Sequence, residues 1–123
     1  MILLKKKNFS YDNHIIYLSL FQMYKSYLLL ISDQENMGIG NVTLSSPPTI
    51  EGLNSTSASY NLFGMKEKLL SKIIAEKASN MLKAPVLSLL FLKNINEEDE
   101  IAKPLSQFLN TILDEVIKDK NQN

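Results

Sequence analysis

The spacing of hydrophobic residues changes twice between residues 54 and 93, and each change predicts a new element. An alternating pattern predicts a strand from Asn54 to Leu62, and a spacing of three and four residues then predicts an amphipathic helix from Met65 to Lys83. After a proline, an apolar run predicts a strand from Val86 to Leu92. The face of the helix predicted to be buried carries Leu70, Ile73, Ile74, Ala78, Met81 and Leu82.

The two strands of this stretch differ in polarity, which predicts different places in a sheet. The strand from Val86 to Leu92 is apolar on both alternating faces, as is typical of a central strand covered on two sides. The strand from Asn54 to Leu62 is rich in Ser and Thr, so we expect it nearer an edge.

The first third of the chain predicts a series of strands joined by short turns. Asp12-Asn13-His14 and Lys25-Ser26 are suited to turns, because Asp and Asn tolerate left-handed backbone conformations. Three lysines in the first strand, Lys5 to Lys7, are typical of a protected sheet edge rather than of a phosphate site. The strands predicted here are Ile2 to Tyr11, Ile15 to Tyr24, Tyr27 to Ile31 and Asn41 to Ser46.

A second amphipathic helix is predicted from Pro104 to Lys118, and a start at Asn96 with a kink at Pro104 is the alternative. The predicted order is therefore β-β-β-β-β-α-β-α. Strands joined by short turns favour antiparallel pairing. We expect one α+β domain spanning residues 1–123, with an antiparallel sheet or sandwich of about six strands flanked by two helices.

Composition narrows the classes of function. The 123 residues, 45% of them hydrophobic, suffice for one core. Thirteen basic residues balance thirteen acidic ones, and every basic residue is a lysine, so we expect neither nucleic acid nor a membrane as partner. The apolar stretch from Ile15 to Ile31 is interrupted by polar residues, and the N-terminus lacks the pattern of a secretory signal. We expect a protein of the cytoplasm or the nucleus.

Candidate chemistry is sparse, and we predict no enzyme, no cofactor and no metal site. His14 is the only histidine and there is no cysteine, so a nucleophilic triad would lack its usual parts. A hydrolase using Asp33 or Glu51 would have no matching base and nucleophile. The acidic run from Glu97 to Glu100 is typical of a solvated turn or helix start, and Gly38-Ile39-Gly40 precedes no predicted helix.

Apolar surface exceeds what two helices can cover. Helices on one face of the sheet leave the second face of the strands at 15–24, 27–31 and 86–92 without a cover. We expect either a sheet folded into a sandwich or a partner chain on that face, and favour a combination of the two.

Three stretches resemble the small 20S proteasome assembly chaperones. The first is Asn8-Phe9-Ser10 on the opening strand, followed by a second strand and by the apolar strand at Ser26 to Ser32. The second is the Ser/Thr-rich strand that ends in Leu62-Phe63-Gly64 and enters a helix. The third is Lys83 to Leu92, where a short polar break precedes an apolar strand and a final helix.

The resemblance implies an antiparallel β-sandwich flanked by helices and a function by binding alone. Such a chaperone pairs with a related one similar to proteasome assembly chaperone 3, or with itself. The pair binds alpha subunits of the 20S proteasome, notably alpha subunit 5, and guides formation of the alpha ring.

One face of the second strand is our candidate for the dimer surface: Ile15, Tyr17, Phe21 and Met23. Aromatic residues and Met suit the core of an interface. A longin- or roadblock-like trafficking subunit, which also works by dimerisation, is the alternative. Five strands before the first helix argue against that alternative.

Overall fold

The computed structural model describes residues 1–48, 56–61, 68–95 and 98–121. It confirms the α+β class and the predicted order of elements. The strands and helices are β1 (Ile2–Tyr11), β2 (His14–Met23), β3 (Ser26–Ser32), β4 (Asn41–Ser46), β5 (Thr56–Asn61), α1 (Lys68–Leu82), β6 (Val86–Phe91) and α2 (Glu98–Asn121).

The second helix is longer than its main prediction. It begins at Glu98, so Pro104 lies inside the helix, as in the alternative with the earlier start. Lys118 and Lys120 lie in its last turn, where they suit the negative end of the helix dipole. Met65, the predicted first residue of the first helix, and Asn96, the alternative first residue of the second, lie outside the described residues, as does Leu62-Phe63-Gly64.

The six strands form one sheet in the order β1-β2-β3-β6-β4-β5. This order confirms that β6 is central and that β1 and β5 are edge strands. β3 and β6 pair in parallel, and the other four neighbouring pairs are antiparallel. The described strands therefore form a single mixed sheet, whereas the alternative of a sandwich within one chain would have required two stacked sheets.

Two tight turns set the register of the first three strands. Asp12 and Asn13 have φ angles of 45° and 64°, which define a two-residue turn with both central residues left-handed, and Tyr11 pairs with His14 across it. At the next turn Lys25 has a φ of 50° and Met23 pairs with Ser26. Asp and Asn adopt the left-handed region at little cost, which explains the first turn.

Both helices pack on the same side of the sheet. Phe9 of β1 contacts Phe108 of α2, with ring centroids 4.5 Å apart, and Lys77 of α1 donates to the Ser106 hydroxyl of α2 at 2.8 Å. The side chains of α2 that close the core are fully or nearly fully buried, and they are Ile101, Leu105, Leu109, Ile112, Leu113 and Val116. Neither described helix combines the length and apolarity needed to span a bilayer.

The buried face of α1 is largely the predicted one, since Leu70, Ile74 and Ala78 are buried and Met81 and Leu82 are half-buried. Ile73 was predicted to be buried but is 45% exposed, whereas Ser71, Ala75 and Ser79 are fully buried. These small residues recur every four positions and face β4, where the Ser71 hydroxyl lies 2.6 Å from that of Thr43. Hydroxyl pairing compensates for burial of polar groups, so the helix turns its small polar side inward and leaves Ile73 in solvent.

Candidate protein interface

Successive side chains of each strand point to opposite faces of the sheet, and the two faces differ in how deeply their side chains are buried. Leu29 and Ile31 of β3 are fully buried beneath the helices, while Leu28 and Leu30 between them are only partly buried. The same alternation occurs in β6, where Val86, Ser88 and Leu90 are buried. We call the side packed against α1 and α2 the helix face and the other side the open face.

The open face is apolar across four neighbouring strands. Backbone register places Phe21 of β2, Leu28 of β3 and Leu87 of β6 in one row. Leu44 of β4 continues the row and is 51% exposed. The next row contains Leu30, Leu89 and Val42. Neither helix packs on this side, so these apolar side chains form a contiguous surface of the kind that marks binding sites.

All four residues predicted for the dimer surface lie on this face. They occupy odd positions of β2, with Ser19 between Tyr17 and Phe21. Their side chains point away from the face on which the even-numbered Ile16, Leu18 and Leu20 are buried. Ile15 is 45% exposed, and the other three are half-buried. Their position meets the geometric requirement for an interface. Whether they contact a partner stays a prediction.

Sequence reasoning did not assign the central residues of the open face. These are the partly buried apolar side chains of three further strands: Leu28, Leu30, Val42, Leu87 and Leu89. The signal was present, because the strands at 27–31 and 86–92 are apolar at both odd and even positions. The parallel pairing of β3 with β6 was needed to bring Leu87 and Leu89 into the rows that contain Phe21 and Leu30.

The connection between β3 and β4 lies against one end of the open face. A Cβ atom on Gly38 would come within 2.9 Å of the Phe91 ring. Gly40 has a φ of 58°, and a Cβ there would clash with the Leu90 carbonyl oxygen. The two glycines thus serve close packing of the chain against β6, which accounts for the Gly-Ile-Gly spacing without a nucleotide.

Asp33, one of the two carboxylates considered for an enzyme, has a structural position. The residue is only 8% exposed. Its Oδ1 atom accepts a hydrogen bond from the backbone N–H of Lys93 at 2.8 Å. Oδ2 accepts the N–H groups of Asn94 at 2.7 Å and Ile95 at 3.1 Å. A carboxylate that accepts three backbone donors fixes the connection between β6 and α2. Glu51, the other candidate, lies outside the described residues.

Charged groups are sparse on the open face. Lys6 is the charged residue that β1 contributes to it, whereas Lys5 points to the helix face and forms ion pairs with Glu115 at 3.2 Å and Asp119 at 3.4 Å. The bond to the Glu115 carboxylate raises the pKa of Lys5 above its ordinary value. Within the described ranges, no three acidic, His or Cys side chains converge as metal ligands would.

Comparison with known proteins gives a match in structure and none in sequence. No family model matches the chain, and no curated protein matches it. Among solved structures, the chain is similar to one in the crystal structure of a novel chaperone complex for yeast 20S proteasome assembly. The TM-score is 0.64 over 96% of this chain and 98% of that chain, at 8% sequence identity. The two chains therefore share a fold over nearly their whole length.

Proposed function

We propose that the protein is a proteasome assembly chaperone that acts by binding other proteins and performs no chemistry. The observation that carries the proposal is the open face, an apolar sheet surface on a fold shared with a chain of a yeast 20S assembly chaperone complex. Within the small assembly chaperones, the order of elements favours proteasome assembly chaperone 4. The expected place of action is the cytoplasm or the nucleus.

The first step of the proposed function is pairing through the open face. The apolar part of the open face extends over four neighbouring strands, and two chains that stack such faces remove apolar surface of both from water. Stacking this face on a second sheet would complete a sandwich across two chains, with the partner being a chaperone 3-like protein or a second copy.

The second step is binding to the proteasome. A pair of sheets with helices outside presents a composite outer surface that neither chain has alone. That surface would hold an alpha subunit, with alpha subunit 5 as the expected one, in a position that favours its correct neighbours in the alpha ring.

Affinity capture from the native cell, followed by mass spectrometry, tests the class of function. The tagged wild-type protein should capture alpha subunits of the 20S proteasome together with a related chaperone or an untagged copy of itself. Capture of small GTPases or vesicle-coat subunits without proteasome subunits would instead identify a longin- or roadblock-like protein and overturn the proposal.

Two variants test whether capture of the paired chaperone depends on the open face. Tyr17→Lys combined with Phe21→Lys should remove the paired chaperone, because it places two charges in an apolar contact. Ile73→Lys is the matched control, since Ile73 is an exposed apolar residue on the outer side of α1. It should leave the paired chaperone bound. Equal capture by both variants would remove Tyr17 and Phe21 from the interface.

A further inference from the structure

The outer edge of β1 is a second surface with the geometry of a protein-binding site. β1 is the terminal strand of the sheet, and nine of its ten residues pair with β2, with an irregularity between Leu3 and Lys5. From Lys5 to Tyr11 the pairing is regular. Irregular and short edges resist added strands. The regular part of β1 lacks both features, and its protection comes from the lysines at 5–7, whose charge disfavours apolar or basic strands but not an acidic one.

The turn at the end of β1 determines which backbone groups face outward. In a two-residue hairpin the pair that flanks the turn, here Tyr11 and His14, exchanges hydrogen bonds, and bonded and non-bonded pairs then alternate along the strands. The N–H and C=O groups of Lys6, Asn8 and Ser10 must therefore point away from β2. Within the described residues, no backbone group outside β1 and β2 bonds to them. We call these three residues the β1 edge.

The side chains of the β1 edge belong to the open face, where they border a cavity. Lys6 and Asn8 pair in register with Ser19 and Tyr17, which alternation places on that face. A cavity of about 270 Å³ lies beside them, and Tyr17, Leu30 and Met37 also line it. A strand added to the β1 edge would place alternate side chains on this side, so the residue opposite Asn8 lies within reach of the cavity.

Charge identifies the kind of segment that fits. Lys6 and Lys7 are exposed, point to opposite sides of β1, and form no ion pair with any described residue. A second copy of β1 would bring like charges together, which disfavours pairing between identical edges. We propose that the β1 edge binds an extended acidic segment of another protein, which pairs in the manner of an added strand. Consecutive acidic residues lie opposite Lys6 and Lys7, and an uncharged side chain opposite Asn8 enters the cavity.

A phage-displayed library of random peptides, selected on the whole protein, tests this inference. Selected peptides should contain two adjacent acidic residues with an uncharged residue directly before or after the pair. Lys6→Glu combined with Lys7→Glu should weaken their binding by about tenfold or more, because two attractive contacts become repulsive. Selected peptides without acidic enrichment, or unchanged binding to the double variant, would overturn the assignment.

Two substitutions at Asn8 separate backbone pairing from side-chain contact. Asn8→Pro removes the outward N–H while keeping the bonds to β2, and it should weaken peptide binding by at least about tenfold. Asn8→Ala retains the N–H and should change binding by less than about threefold. Equal effects of the two variants would exclude an added strand.

Amide hydrogen exchange on the unsubstituted protein gives a test that does not depend on how a variant folds. In the free protein the amides of Asn8 and Ser10 should exchange faster than those of Lys7 and Phe9, which bond to β2. A selected peptide should slow exchange at Asn8 and Ser10. Unchanged exchange at both amides in the presence of saturating peptide would refute the inference, while leaving pairing through the open face untouched.

Discussion

The two faces of one sheet use apolar residues in opposite ways. On the helix face, Leu29 and Ile31 are fully buried within the chain's own core, while on the open face their neighbours Leu28 and Leu30 have no helix over them. Intrinsic hydrophobicity is the same on both sides. The two faces differ in what covers them: the helix face forms the chain's own core, and the open face is the surface that we propose for association.

The same charge placed on two adjacent residues of β3 should give the largest difference between the helix face and the open face. Leu29→Asp should lower the free energy of unfolding by more than about 4 kcal/mol, because it buries a carboxylate without a partner. Leu28→Asp should lower it by only about 1 kcal/mol, yet abolish pairing. Chemical denaturation and light scattering measure the two effects. Similar losses of stability in both variants would contradict the distinction between the faces.

Asp33 tests how α2 is held on the helix face. Asp33→Ala should lower the free energy of unfolding by about 3 kcal/mol, since the backbone N–H groups of residues 93–95 lose their charged acceptor. Glu35→Ala is the matched control, an exposed carboxylate in the same connection, and should change stability by less than about 0.5 kcal/mol. Urea denaturation compares them. Equal losses of stability in the two variants would mean that Asp33 does not fix the connection between β6 and α2.

The hydroxyl contacts between α1 and β4 are expected to stabilise the packing of α1 on the helix face. Thr43→Val should cost about 1 to 2 kcal/mol, because Val has a similar shape but leaves the buried Ser71 hydroxyl without this partner. Combining it with Ser71→Ala should cost less than the sum of the single changes. A double-mutant cycle measured by thermal unfolding checks this. Strict additivity would show that the two hydroxyls do not interact.

The smallest expected effect concerns Lys5 at the rim of the helix face. Its bond to Glu115 raises its pKa in the folded protein, so the associated stabilisation is present below the ordinary lysine pKa and is lost as the pH rises through the raised value. NMR titration should give a lower pKa for Lys5 after Glu115→Gln with Asp119→Asn. Asp114→Asn, on an exposed position of the same helix, should leave it unchanged. An unshifted pKa in the double variant would show that the ion pairs are not formed in solution.

Local patterns predicted most of the strands and helices, because the formation of a strand or a helix depends largely on residues that are close in the sequence. The predicted bounds of β1 and β4 match the observed ones, and the doubly apolar stretch at Val86 predicted a central strand. The position of β6 between β3 and β4 was not predictable, since pairing between distant strands depends on the whole core. The exposure of Ile73 was missed for a related reason. Hydrophobicity favoured burial of Ile73, but small residues of α1 lie against β4 instead, where the Ser71 hydroxyl pairs with that of Thr43.

The candidate interface was predicted in part for the same reason. Ile15, Tyr17, Phe21 and Met23 follow from alternation within a single strand, so they could be placed on one face from the sequence. Leu28, Leu87 and Leu44 join them only through cross-strand register. No periodicity within one strand contains that information.

Oxidative footprinting of side chains, applied to the free protein and to its complex captured from cells, tests the central claim most directly. If another protein covers the open face, oxidation of Tyr17, Phe21 and Met23 should fall strongly in the complex. Tyr24, which is 86% exposed in the turn after β2, should react equally in both samples. Equal oxidation of Phe21 and Met23 in the free and the complexed protein would contradict the account.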